Sequence, residues 1–266
     1  MPPVDTKYVA GLFHHDRATF KGISLEARVL LKSLTIRSKP NDRFLIVGRA
    51  RSGTTLLTKL LNGHSEIECD GEILKRFMIS PKAYFNRLAN KSLFPVYGAK
   101  LLSYQMAQVH RMRRPDLFLR QLEDDGVLLI HIERETLSQT LSLAVAQHRR
   151  QFHSDRGAVA LGRKLRLDCD DFVRRLEWSE ALLRYERAAF AGIDHLKVIY
   201  ETHLADPAAQ ITTLERICGR LNMAAEPVEM PIKKLLPTQP DGIIENFEEV
   251  AAAIRKAGFE QLLPQI

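Results

Sequence analysis

Eight residues carry the strongest chemical signal in the chain: Gly48-Arg49-Ala50-Arg51-Ser52-Gly53-Thr54-Thr55, between an apolar run and a helical pattern. Glycines let such a loop turn with its backbone N–H groups inward. The start of a helix adds partial positive charge, and the hydroxyls of Ser52, Thr54 and Thr55 are further donors to phosphate oxygens. Arg51 supplies a permanently charged, planar set of donors. The chemistry is capture of a phosphorylated or sulfated ligand. The spacing nearly matches the triphosphatase pattern GxxxxGK[ST], but Thr54 stands at the Lys position. Losing that Lys removes the group that reaches β and γ phosphates, which disfavours an ATPase or GTPase and leaves a nucleotide-phosphate site intact. The plainer alternative is a helix cap that happens to contain glycines.

The elements that must position this loop follow from the apolar pattern. Phe44 to Gly48 reads as a buried strand, and Thr54 to Asn62 as a helix with Leu56, Leu57, Leu60 and Leu61 on one face. Further strands are predicted at Val96 to Leu101, Val127 to Glu133 and Leu196 to Tyr200. Helices are predicted at Ser80 to Asn90, Ser103 to Arg111, Pro115 to Asp124, Thr136 to Phe152, Asp168 to Ala191, Pro207 to Asn222 and Ile243 to Gly258. This alternation predicts an α/β fold: a single domain with a mostly parallel central sheet flanked by helices. Ligands in such sheets sit beyond the carboxyl ends of the strands. Residues 1–40, with an amphipathic stripe (Ile23, Leu25, Val29, Leu30, Leu31, Leu34), read as a helical extension packed on a domain of residues 41–266. His153 to Arg166, with weak periodicity, is the candidate loop over the site.

Composition narrows the functional classes. A 45% apolar content over 266 residues supports a large core, and there is no apolar run long enough to span a bilayer. The amino-terminal residues lack the layout of a secretory signal, which reads as a cytoplasmic protein without integral membrane association. Three cysteines (Cys69, Cys169, Cys218) without CxxC spacing suggest neither a disulfide framework nor a zinc site. The net charge of +7 is uneven: +7 over residues 1–59, +6 over 60–166 and −6 over 167–266. The basic excess therefore surrounds the anion loop. Few aromatics (7%), none interleaved in the basic runs, speak against a nucleic-acid partner.

Arg51-Ser52-Gly53-Thr54-Thr55-Leu56-Leu57 resembles the 5′-phosphosulfate loop of sulfotransferases that use 3′-phosphoadenylyl sulfate (PAPS), with Ala50 where that family commonly has Pro. Val127 to Ser142 resembles the family's second signature, a strand ending in Arg and a Ser eight residues later. The resemblance implies that Arg134 and Ser142 hold the 3′-phosphate. Cys69 to Leu74, the arginine-rich end of the helix before Phe152, and Pro240 to Phe247 are most similar to the bacterial nodulation-factor and carbohydrate type, which sulfates an oligosaccharide hydroxyl. Tyr200-Glu201 resembles the segment whose Tyr lies near the nucleotide. The implied fold is the P-loop-like sulfotransferase fold.

Sulfuryl transfer passes through a loose, in-line transition state and needs a cation at the bridging oxygen, donors on the sulfuryl oxygens and a base for the acceptor hydroxyl. The transferred group carries less charge than a phosphoryl, so no metal is required. Arg51 is the candidate cation. Lys100, in a segment that resembles the family's Gly-x-Lys, is the second. Glu72 lies 21 residues after Arg51, a spacing shared with the catalytic Glu of the tyrosyl-protein branch, and is the candidate base. Asp70 is the alternative; His64, at a helix end, reads as a capping His⁺. Lys233 and Lys234, and the clusters Arg111, Arg113, Arg114 and Arg149, Arg150, are either surface charges or linings for the nucleotide or acceptor. PAPS is thus the implied donor, adenosine 3′,5′-bisphosphate the product, and an oligosaccharide or glycolipid hydroxyl the acceptor. A nucleotide-triphosphate-dependent small-molecule kinase and a non-catalytic anion-binding scaffold are the competing readings.

Overall fold

The computed structural model describes residues 24, 26–28, 42–152, 164–228 and 242–264, with backbone alone at 149–152. The stripe at Ile23 to Leu34, most of the candidate loop from His153 to Arg166, and Lys233 and Lys234 lie outside them, as do the side chains of Arg149, Arg150 and Phe152. Five parallel strands form the sheet: β1 (Asp42–Gly48), β2 (Ile67–Glu72), β3 (Val96–Leu102), β4 (Val127–Glu133) and β5 (Leu196–Ile199), in the order β2-β3-β1-β4-β5. β3 and β4 are buried along their whole length, as expected for strands covered on both faces. β2 is the strand that the apolar pattern misses. Its sequence, Ile-Glu-Cys-Asp-Gly-Glu, buries only Ile67 and Cys69 and contains residues that strands disfavour.

Contacts group the chain into two compact units, Met1–Glu133 with Leu182–Pro231, and Arg134–Ala181 with Ile232–Ile266. The first holds the sheet. On one face Leu45, Val47, Tyr97, Ala99, Leu101 and Leu129 pack with α2 (Pro81–Ala89) and α3 (Pro115–Asp124). On the other, Phe44, Ile46, Ile130 and Ile132 pack with α1 (Thr54–Leu61) and α7 (Pro207–Arg220). Each buried Val, Leu, Ile or Phe among them contributes roughly 1.5–3 kcal/mol by leaving water. Asp206 accepts the Ala209 N–H as the local cap of α7 with Pro207 following, whereas the segment just ahead of α2 is held by a distant residue, Glu26, which accepts the N–H groups of Ile79 and Ser80.

The second unit contains α4 (Thr136–Phe152), the first part of α5 (Cys169–Ala189) and α8 (Phe247–Lys256). Leu137, Leu141, Phe172, Leu176, Val250 and Ile254 form its core. The Asn246 side chain bonds both N–H and C=O of Leu167, beside a parallel bridge between Leu165 and Ile244. This clamp joins two segments about eighty residues apart.

Two predicted elements change character. The helix predicted from Ser103 to Arg111 is present in π form: Ser103 and Tyr104 lead into a single π-turn at Gln105–Val109, with His110 N–H bonded to Gln105 C=O. Tyr200 does not end a strand but opens α6 (Tyr200–His203). No helix among the described residues is long and apolar enough to cross a membrane. Cys69, Cys169 and Cys218 are free thiols.

Candidate functional site

The anion loop leaves the carboxyl end of β1, the central strand, in the first unit. Gly48 is required by close approach: a Cβ there would lie 2.7 Å from the Ile132 carbonyl and 2.9 Å from Ser52 Oγ. Arg51 (φ 68°) and Gly53 (φ 102°) both take positive φ. For Arg51 that conformation costs roughly 1–2 kcal/mol, and such strain concentrates where a loop is shaped for a ligand. Ser52 is fully buried, and its hydroxyl and N–H both go to the Arg49 carbonyl, at 2.7 and 3.2 Å. Its hydroxyl proton is therefore committed inside the loop. Thr54 is buried and Thr55 exposed at the start of α1, which has no side-chain cap of its own. Gly53 places the loop against Tyr200, since a Cβ on it would meet Tyr200 Cδ2 at 2.7 Å.

Lys100 is buried on β3 and donates to Thr55 Oγ1 at 2.9 Å. Its Nζ also lies 3.5 Å from Glu72 Oε1. A buried ammonium needs such partners. The partnership depends on an irregularity at the end of β2, where Asp70 pairs with Ala99 but Glu72, not Gly71, pairs with Lys100. One extra residue turns the following side chains to the other face. It separates the two candidate bases. Asp70 accepts from Tyr97 Oη at 2.8 Å, and burial together with that carboxylate pushes the Tyr97 hydroxyl up, which keeps it a donor. Glu72 turns to Lys100 and also accepts from Gln105 Nε2 at 2.8 Å and Tyr104 Oη at 3.4 Å. Burial pushes the Tyr104 hydroxyl up to about 12. Neither tyrosine nor Gln105 stood out in the sequence, because Tyr97 reads as an ordinary strand residue and Tyr104 and Gln105 as ordinary helix residues.

Arg134 and Ser142 fall in the second unit, Arg134 directly after β4 and Ser142 buried on α4. Other candidates take structural parts. His64 Nδ1 accepts the Glu66 N–H, so its proton sits on Nε2, which reaches the Ala224 carbonyl at 2.8 Å. It is a buried clip between segments, just beyond the end of α1. Arg111, Arg113 and Arg114 are exposed, and Arg114 pairs with Asp116. Glu133, the acid at the end of β4, is bound by Arg187 at 2.6 Å and Lys197 at 2.9 Å. Burial alone would raise its pKa; the hydrogen bonds from those two cations hold it down at about 2. Its oxygens are thus engaged by cations, which removes the nearest candidate for holding the Mg²⁺ of a kinase.

No protein-family profile matches the chain. Nodulation protein H of Rhizobium meliloti (strain 1021) is 24% identical over 236 residues, which cover 82% of this chain and 93% of that protein. Several solved structures align with the chain, among them three sulfotransferases. Mouse sulfotransferase SULT7A1 complexed with PAP does so at a TM-score of 0.46 and 15% identity, over 90% of this chain and 88% of that one. The sulfotransferase domain of the Synechococcus PCC 7002 olefin synthase gives 0.45 and 15%, over 82% and 88%. Sulfotransferase STF9 from Mycobacterium avium gives 0.46 and 11%, over 90% and 80%. The nodulation-type resemblance of the short motifs agrees with the likeness to nodulation protein H, which runs along most of the chain.

Proposed function

We infer that the chain is a sulfotransferase that moves a sulfuryl group from PAPS to a hydroxyl of a carbohydrate or glycolipid acceptor. The observation that carries this reading is the position of Lys100, whose ammonium links Thr55 of the anion loop to the Glu72 carboxylate. One cation thereby joins the donor loop to the candidate base. The loop's own chemistry fits a phosphosulfate: N–H groups at a helix start, hydroxyls and Arg51, without a carboxylate among residues 48–55.

PAPS supplies the sulfuryl group. The loop N–H groups and Thr55 hold its oxygens, Arg51 and Lys100 balance the charge that grows on the bridging oxygen, and Tyr200 packs against the loop at Gly53. Glu72 takes the proton of the acceptor hydroxyl as the new S–O bond forms and the bond to the phosphate oxygen breaks, leaving adenosine 3′,5′-bisphosphate. Asp70 is the weaker candidate because Tyr97 already donates to it. Arg134 and Ser142 are assigned to the 3′-phosphate on their motif. The acceptor class rests on the nodulation-factor resemblance at Cys69 to Leu74.

Product analysis with radiolabelled PAPS and a panel of glycans tests the reading. Label should enter a sugar hydroxyl, and Glu72→Gln should slow transfer by roughly 10²–10⁴-fold while adenosine 3′,5′-bisphosphate still binds. Full transfer by Glu72→Gln would remove Glu72 from the base role.

A further inference from the structure

We propose that Gln105 is the positioning residue of the transfer, fixing the Glu72 carboxylate so that one oxygen is anchored and the other is turned toward Lys100. This rests on Glu72 being the base. The amide of Gln105 is fully buried and held at both ends. Its Oε1 accepts the Leu102 N–H at 3.1 Å, and its Nε2 donates to Glu72 Oε2 at 2.8 Å. An amide rotated by half a turn would set oxygen against carboxylate and nitrogen against N–H, so the orientation is determined.

The two Glu72 oxygens have different surroundings. Oε2 takes the Gln105 amide and, at 3.4 Å, the Tyr104 hydroxyl; Oε1 faces Lys100 Nζ at 3.5 Å. Glu72 sits at the end of an edge strand just beyond an irregularity, where a carboxylate on three rotatable bonds would otherwise sample several directions. Gln105 begins the π-turn that replaces the α-helix expected after β3, and a π-turn inside helical sequence is commonly a functional feature. Tyr104 cannot substitute for Gln105, since its contact with the carboxylate is long and it also accepts from Gln105 at 3.4 Å.

The test is a double-mutant cycle of Gln105→Met and Glu72→Gln, read by single-turnover transfer from radiolabelled PAPS to an N-acetylglucosamine oligosaccharide and by calorimetry with adenosine 3′,5′-bisphosphate. Losing one hydrogen bond to a charged group predicts a fall in kcat of about tenfold for Gln105→Met, with nucleotide affinity and the KM for PAPS kept. In the Glu72→Gln background the same change should cost nothing further. A second readout needs no Gln105 variant: the side-chain amide resonance of Gln105, assigned in the intact chain, should move when Glu72 becomes Gln. The proposal is overturned by an equal loss in both backgrounds, by no loss where Glu72→Gln is impaired, or by an amide resonance indifferent to Glu72→Gln. Full transfer by Glu72→Gln marks the separate failure of the base reading, and this assignment falls with it.

Discussion

Replacing Gly53 by Ala tests the geometry of the anion loop through two separable costs. At φ 102° the residue lies beyond the left-handed region that L residues tolerate, and the strain is roughly 1–3 kcal/mol. The added methyl would also stand 2.7 Å from Tyr200 Cδ2 and 3.2 Å from Leu204 Cδ1, an overpacking cost of about 1–3 kcal/mol. Reduced freedom of the unfolded chain returns only about 0.4–1 kcal/mol. Urea denaturation should therefore show Gly53→Ala destabilised by roughly 2–5 kcal/mol, with adenosine 3′,5′-bisphosphate binding weakened as the loop N–H groups tilt. Tyr200→Ala separates the terms. In that background the contact with Tyr200 is gone while the backbone strain stays, so the cost of Gly53→Ala should fall by about 1–2 kcal/mol. A Gly53→Ala protein within about 0.5 kcal/mol of the parent, or a cycle that is simply additive, would refute the packing of Tyr200 on this loop.

Three further outcomes are expected. Glu133 is held at about 2 against an ordinary 4.5; a lowered carboxyl pKa adds stability above the unfolded value that is lost as pH falls from 4.5 toward 2. With Arg187 and Lys197 about half exposed, the loss should be roughly 1–3 kcal/mol in urea midpoints followed into acid, and Glu133→Gln should flatten it. Burial raises all three thiols, Cys69 to about 12, but only Cys169 is partly exposed, so a disulfide reagent on the native protein should label Cys169 alone and reach the other two only after denaturation. Arg134→Ala should weaken binding of PAPS far more than that of adenosine 5′-phosphosulfate, and equal losses by calorimetry would contradict the 3′-phosphate assignment.

The sheet was legible where burial is continuous. Phe44 to Gly48 and Val127 to Glu133 are apolar enough to read as central strands, and the loop between β1 and α1 announces itself by glycine and hydroxyl spacing. β2 was not legible, because an edge strand with Glu68, Asp70 and Glu72 at alternate positions, and Gly71 between the last two, lacks the apolar signal. That omission concealed the main feature of the site. The irregularity at Asp70 and Glu72, which sends Asp70 to Tyr97 and Glu72 to Lys100, exists only once β2 is paired with β3. For the same reason Gln105 stayed hidden. The segment from Ser103 has helical spacing, and the exchange of α for π hydrogen bonding is set by how the chain leaves β3 and not by local propensity.

The most direct test of the account is a calorimetric titration of the purified chain with adenosine 3′,5′-bisphosphate and, separately, with ATP plus Mg²⁺. A loop without the triphosphatase Lys, serving a 3′-phosphorylated nucleotide, predicts saturable binding of the bisphosphate that is unaffected by a chelator and much weaker binding of ATP. Preference for ATP with Mg²⁺, or bisphosphate binding that vanishes when the chelator is added, would contradict sulfuryl transfer from PAPS as the function of this site.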